Sequence, residues 1–507
     1  MSTLEIAVIG SGPAGLYTAE ALIKQAALLP VPPRLRVDVL DRLPTPYGLV
    51  RYGVAPDHKS IKSIADYLRG VLEHQDVRFL GGVHLGTDVT RDELLGCYDA
   101  VVYATGAMRD RRLAIPGEDL PGSYAATDFV NWYCGHPDID PDAFTLDAES
   151  VAVIGVGNVA VDVARILARD PAELHSTDVP QPVFDALAAS KVREVNVIGR
   201  RGPAQAKFTT KELRELGELP GVEIVVRGEE IEADPAADQD RRIRGNLTVL
   251  RGWAGRPPQG GGPQGAESRG AELPGSPGHA RRLTIRFWLR PVAVEGTERV
   301  TGMTVERTAI DDRGVLAGTG EYQTLGAQMV LRSVGYQSVP LPGLPFDERT
   351  ATVPNEAGRV LADGGPLPGE YVAGWLKRGP TGVIGTNKSD AAETVRSLLA
   401  DLAGGPGPGD VPLPRAGLLP YPDPQDPLRY QPGGTTLRAP QDPPQAPGQR
   451  PGVADALARR GVRPVSYQDW LRIEAAEVEL ARSLGRGGRV KLPGRDALLA
   501  ACRPPAG

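Results

Sequence analysis

The chain has 507 residues, 41% of them hydrophobic and 24% charged, which is enough for two or three domains with large cores. Its net charge of −6 excludes a general nucleic-acid binder and confines any basic docking site to a local patch. Cys97, Cys134 and Cys502 lie far apart with no C-x-x-C pair, which argues against a redox dithiol, a zinc site or a cysteine-ligated iron–sulfur cluster, and no metal is expected.

Residues 4–9 read as a buried parallel strand and 14–29 as a helix ending before the PVPP stretch. The strand LRVDVL follows and ends at Asp41. LPTPYGLVRYGVAPDHKSIK is a loop without period, and 59–73 looks helical. VRFLGGVHL is a short β region, and YDAVVYATGA is a strand ending in a small-residue turn. Residues 151–168 open a second strand–turn–helix unit, continued by the strand VREVNVIGRRGP and the helix FTTKELRELGEL. From about 222 to 325, β-like segments alternate with turns, interrupted by a Gly/Pro-rich, low-complexity stretch at 254–280 that reads as a surface insertion. Residues 327–335 form another strand and turn, and 370–402 a strand, a loop and a long helix. Residues 404–452 are Pro-rich, and 453–507 form an appended helical tail. Strands alternating with helices mean α/β architecture with parallel sheets. No signal peptide and no run long enough to span a membrane is found, so a cytoplasmic protein, monomeric by default, is expected.

Two turns in this pattern have the form that cradles a pyrophosphate. In GSGPAG, Gly10, Gly12 and Gly15 allow a tight turn and a close approach of backbone to the anion, at the N-terminus of the next helix. Asp41 stands where an acid holds ribose hydroxyls, later than the usual spacing of about 20 because PVPP intervenes. The strand YDAVVYATGA and the segment YVAGWLKRGPTGVIG resemble parts of two-dinucleotide flavoproteins, which selects FAD for this unit. The FAD domain is then discontinuous: 1–109 and 327–403, with an NADP domain inserted at 110–326.

The second turn, GVGNVA, has Gly155 and Gly157, with Ala160 at the third glycine position and Asn158 offering an amide to the nucleotide. The next strand ends not in a carboxylate but in Arg200 and Arg201. A guanidinium pair suits a dianionic 2′-phosphate through charge-assisted, bidentate bonds, so the visiting donor is NADPH rather than NADH. The fold class is therefore α/β with two Rossmann-like dinucleotide-binding domains.

GSGPAG, PTPYGLVRYGVAPDHKSIK, YDAVVYATGA, IPGEDLPGS, GNVAVDVARIL, GRRGPAQAKFTTKELRE and AGWLKRGPTGVIGTNKSDA together resemble ferredoxin–NADP+ reductases of the adrenodoxin-reductase type, over residues 6 to about 396. The tail VSYQDWLRIEAAE is similar too. The resemblance implies FAD contacts at Ala14, Asp41, Leu49, Leu85, Trp375 and the turn Gly382, Val383, Ile384. It implies NADP contacts at Arg111, Gly157, Asn158, Val159, Arg200, Arg201, Glu212 and Gly382. It also implies an active-site pair, His58 and Glu215, that orients the nicotinamide or tunes nearby protons. A structural loop histidine and a solvated helix acid are the alternatives for these two residues. Asp41 departs from the family's usual Glu, and the 254–280 insertion is particular to this chain.

The implied reaction is hydride transfer from NADPH to FAD, then two single-electron steps to a ferredoxin-type iron–sulfur protein. An acidic partner would dock on Lys207, Lys211 and Arg214, unless these simply form a solvated helix face. The runner-up reading is an NADPH-dependent reductase serving another acceptor, as in glutamate-synthase small subunits, which usually carry the cysteine clusters missing here.

Overall fold

The computed structural model describes residues 3–234, 240–255, 281–403 and 452–502. The insertion expected at 254–280 and the Pro-rich stretch at 404–452 lie almost wholly outside these residues.

Two parallel sheets organise the chain. The first has seven strands, in the order Asn355–Glu356, Arg359–Ala362, Gly365–Val372, Ala100–Tyr103, Thr3–Ile9, Arg34–Asp41, Val77–Gly81. The last five run parallel, and the first two return antiparallel at the edge. Ile6 and Val8 pack on the Pro13–Ala26 helix through Leu16 and Ala19, while Ala7 and Ile9 join a separate core with Leu80, Tyr103 and Leu376. Both faces are covered, which is why this strand reads as a continuous apolar run rather than an alternation.

The second sheet is all parallel: Ser123–Ala125, Met329–Arg332, Ser150–Ile154, Glu194–Ile198, Arg281–Arg286, Val222–Val226. Its strand Ser150–Ile154 divides in the same way, Val151 and Val153 facing one core and Ala152 and Ile154 another. An antiparallel three-stranded sheet, Leu289–Glu295, Gly302–Ile310 and Leu316–Gly326, covers the latter face with Leu289, Met303 and Val305. Between the sheets the outgoing and returning chains pair as a short ribbon, Arg109–Asp110 against Tyr336–Gln337.

Four expectations change. Met329–Arg332 pairs with Ser150–Ile154 in the second sheet, so the return to the first sheet comes after this strand rather than at 327. The region after 222 is not purely β: Gly228–Glu232 and Arg241–Ala254 are helices, the latter capped by Asp240, whose side chain accepts from the Arg242 and Ile243 N–H groups. The helical stretch at 59–73 is two helices, Lys59–Lys62 and Ile64–Leu72, and Leu49–Tyr52 adds a turn of helix within the loop.

The tail is not merely appended. Val465 pairs with Gly81 at the edge of the first sheet, and Trp470, Ile473 and Leu498 enter its core. Glu477 on the Tyr467–Ser483 helix forms a buried ion pair with Arg51. Lys491, also buried, donates to the carbonyls of Arg51 at 2.6 Å and Cys134 at 2.7 Å, with Asp178 at 3.3 Å. Arg486 donates to the carbonyls of His175 and Thr177. The tail thus holds both sheet domains at once.

Candidate active site

The first glycine turn lies at the carboxyl ends of the central strands, where the chain order reverses, which is the position at which open α/β sheets bind ligands. Gly10 has φ +113°, and a Cβ there would lie 2.5 Å from the Ala104 carbonyl oxygen. Gly15 does not line the cleft. A Cβ on it would reach within 1.8 Å of the Gly10 carbonyl, so its role is to seat the helix on the turn. The Pro13–Ala26 helix starts at Gly12 with no side-chain cap, leaving its first N–H groups for an anion.

A cavity of about 580 Å³ opens in front of this turn. It brings together Gly10, Gly12, Ala14, Asp41, Leu49, Leu85, Trp375, Val383 and Ile384 of the expected FAD contacts. Gly374 has φ +74°, and a Cβ on it would come 2.4 Å from the Ala14 Cβ, so the returning chain closes tightly on the helix start. Asp41 Oδ2 accepts from Ser11 N at 2.7 Å and Ser11 Oγ at 2.6 Å, which fixes the acid beside the turn despite its short side chain. The cleft fits FAD: backbone donors at one helix start, an oriented acid at the neighbouring strand end and apolar walls. Tyr52, His136 and Asn387 also line it and were not foreseen. Burial pushes the His136 imidazole down to about 4, so it is neutral at physiological pH.

The second turn repeats the first. Gly155 has φ +134°, and a Cβ there would meet the Ser333 carbonyl oxygen at 2.1 Å. The Asn158–Ala168 helix begins at Gly157 without a side-chain cap, and Ala160 is fully buried against the sheet. Asn158 Oδ1 accepts from Thr209 N at 2.9 Å, so the side-chain oxygen is committed and its NH₂ is the group left for a nucleotide. Arg200 and Arg201 stand exposed at the end of the Glu194–Ile198 strand. Their backbone is pinned by Thr308 Oγ1, which donates to the Arg200 carbonyl, and by Trp288 N, which donates to that of Arg201. Arg111 is exposed at the inter-domain ribbon, and Gly382 has φ +83° beside Val383, whose side chain is 66% exposed. Lys207, Lys211 and Arg214 are exposed, with Lys211 Nζ 3.9 Å from Glu215 Oε1.

Between the domains lies a charged cluster. His58, 7% exposed, has Asp162 Oδ1 at 2.9 Å and Glu212 Oε2 at 3.1 Å from Nε2, while Glu215 Oε2 is 3.7 Å from Nδ1. The close partners of His58 are therefore Asp162 and Glu212, not Glu215, which sits outside hydrogen-bond reach. Glu212 was expected to contact NADP. It lies on the buried face of the Thr210–Gly217 helix with Leu213 and Leu216, which turns its carboxylate inward to His58 and Arg165. Arg165, buried on the Asn158–Ala168 helix, makes a bidentate contact with Asp57 at 2.7 and 3.1 Å and reaches Asp162 at 2.8 Å. Its Nη2 also touches His58 Nε2. Burial alone would lower the His58 basicity, but the hydrogen bonds to Asp162 and Glu212 outweigh it and push His58 up to about 9. Burial likewise opposes ionisation of Asp57, yet the Arg165 guanidinium holds its carboxyl below the ordinary value. His58, Glu212 and Glu215 place ligand atoms within 4.8 Å of one another, and Arg165 already supplies positive charge to both of these acids.

A cleft suited to a flavin nucleotide on the first sheet and a second glycine turn followed by an arginine pair on the next define a pyridine-nucleotide-dependent flavoprotein oxidoreductase. The comparisons agree. The pyridine nucleotide-disulphide oxidoreductase family matches residues 4–214. NADPH-ferredoxin reductase FprA of Mycobacterium tuberculosis is 46% identical over 406 residues, 78% of this chain and 84% of that protein. The mitochondrial NADPH:adrenodoxin oxidoreductase of Arabidopsis thaliana is 40% identical over 421 residues, 79% of this chain and 83% of that one. The structure of Mycobacterium tuberculosis FprA in complex with NADPH superposes with a TM-score of 0.81 at 40% identity, covering 99% of this chain and 100% of that one. The chain belongs to the family of NADPH-dependent ferredoxin and adrenodoxin reductases. Among the described residues no helix is long and apolar enough to cross a membrane.

Proposed function

We propose that the protein takes hydride from NADPH into the first cleft and delivers electrons singly to an acidic ferredoxin-type iron–sulfur protein. The observation that carries this reading is the pairing of a walled cleft containing Asp41 with a second glycine turn whose next strand ends in exposed Arg200 and Arg201. FAD, when bound, supplies the conversion of one two-electron step into two one-electron steps. The chain's own part is positioning and electrostatics. Gly10, Gly12 and Ala14 bring backbone to the pyrophosphate, and Asp41 and Ser11 orient the ribose end. Leu49, Leu85 and Trp375 exclude water. Arg200 and Arg201 grip the 2′-phosphate, with Arg111, Gly157, Val159 and the Asn158 NH₂ along the nucleotide. His58 holds a proton at the domain junction, with Glu215 the most solvent-facing carboxylate beside it. Lys207, Lys211 and Arg214 dock the partner. Both glycine turns belong to one chain, and the protein is read as a monomer. It works in the cytoplasm, where its three buried, unpaired thiols stay reduced.

Anaerobic stopped-flow of the yellow protein tests this reading. Fast bleaching by NADPH and much slower bleaching by NADH is the expected result. A protein that stays colourless after FAD is added, or a yellow one that NADPH does not bleach, refutes it.

A further inference from the structure

His58 sits on a loop of the first domain, yet most of its charged neighbours come from the second. Asp162 and Arg165 reach it from the Asn158–Ala168 helix, Glu212 and Glu215 from the Thr210–Gly217 helix, and Asp57 precedes it in the loop. Farther out, Arg169 lies 3.3 Å from Asp57 and Lys211 3.9 Å from Glu215. Four carboxylates therefore surround one imidazole, and Arg165 touches all four as well as the ring.

The geometry at Nε2 is a competition. A proton there can be donated to Asp162 at 2.9 Å or Glu212 at 3.1 Å. The same nitrogen, unprotonated, accepts from the Arg165 Nη2–H that lies against it. The bidentate contact with Asp57 fixes the fork, because a planar guanidinium held at two nitrogens has little freedom left. It also ties the His58 loop to a second-domain helix.

We propose that Arg165 is a positioning residue for the reaction: anchored on Asp57, it holds His58 across the domain junction and competes with Asp162 and Glu212 for Nε2, so that the His58 proton can be released. This rests on the reading of His58 as the proton-holding group near the nicotinamide. The sign follows from charge. The guanidinium opposes protonation of the ring while the carboxylates favour it, so removing Arg165 leaves the carboxylates unopposed and raises the affinity of His58 for its proton.

The test is a pH titration of the His58 ring in the FAD-loaded protein by ¹³C NMR with histidine-selective labelling, assigned by its loss in H58Q. In R165Q the midpoint is expected to rise by about one unit, the low end for a charge this close. R165K keeps a charge but loses the fork, and a smaller rise is expected. This variant decides the matter if R165Q fails to fold. A folded variant whose midpoint stays or falls, with only reduced melting temperature or FAD retention, makes Arg165 a structural staple and overturns the proposal. Stopped-flow separates this from the reading it rests on. If the pH profile of flavin bleaching moves with the NMR midpoint, both stand. If the midpoint moves and the profile does not, Arg165 still positions His58, but His58 is not the reaction's proton-holding group.

Discussion

The two dinucleotide clefts are built from the same parts. Gly10 N donates to the Leu40 carbonyl at 2.7 Å, and Gly155 N to that of Ile198 at 2.8 Å. Each glycine has positive φ and lies against a carbonyl of the adjacent strand end, Ala104 or Ser333. They differ in what faces the turn. A Cβ on Gly12 would lie 3.8 Å from Gly48 Cα and the first turn is walled by Leu49, Leu85 and Trp375, whereas a Cβ on Gly157 would meet nothing within 4 Å. The first strand pair ends in an acid held by Ser11, the second in two exposed arginines. One turn is walled by neighbouring residues and the other is left open.

The sharpest way to break this comparison is to block one turn at a time. Gly10→Ala places a Cβ on the Ala104 carbonyl at a backbone angle alanine resists, and the purified protein is expected to be largely free of FAD. Gly155→Ala is expected to stay yellow yet lose reduction by NADPH. Loss of colour in both would show that the clefts are not separate. Next in size, replacing Arg200 and Arg201 together by alanine removes charge-assisted bonds worth roughly 1.5–3 kcal/mol each, so KM for NADPH should rise about 100-fold or more while that for NADH barely moves. Asp41→Asn keeps the shape but removes the charge Ser11 holds, and fluorescence titration of apoprotein should show FAD affinity lower by about tenfold. Arg214→Glu should slow ferredoxin reduction several-fold at low salt and leave ferricyanide reduction unchanged, and equal losses would remove Arg214 from the docking face.

The smallest effect is on stability. His58 has a raised folded value of about 9 against an ordinary 6.5, so its contribution is complete below pH 6.5 and is lost as pH rises to 9. His58→Gln should lack that part of the alkaline fall in melting temperature, and identical pH profiles would show that His58 contributes none of it.

The turns and the arginine pair are legible in the sequence because each is a local pattern of backbone freedom or charge at a strand end. The charged cluster is not. Asp57 and Arg165 are 108 residues apart, and nothing local marks Arg165 as more than a helix cation. An Asp162–Arg165 spacing of three was the available signal, and it is common on solvated helices. The contact of Glu212 with His58 is not legible until the amphipathic face of its helix is placed. The strand Met329–Arg332 reads as a strand, but its apolar run does not say which sheet it joins. The tail's grip on both domains depends on Lys491 and Glu477, long side chains that composition assigns to the surface.

The discontinuous first sheet also imposes an order of assembly. Three of its seven strands, Asn355–Glu356, Arg359–Ala362 and Gly365–Val372, leave the ribosome after every strand of the second sheet has been made. The second sheet can therefore form while the first is still a half-sheet with Ala100–Tyr103 as a bare edge. Trp375, which lines the cavity before the first turn, comes later still, and Val465, which pairs with Gly81, follows it. A chain stopped before residue 355 would carry every strand of the second sheet joined to the unpaired edge strand Ala100–Tyr103 of the first.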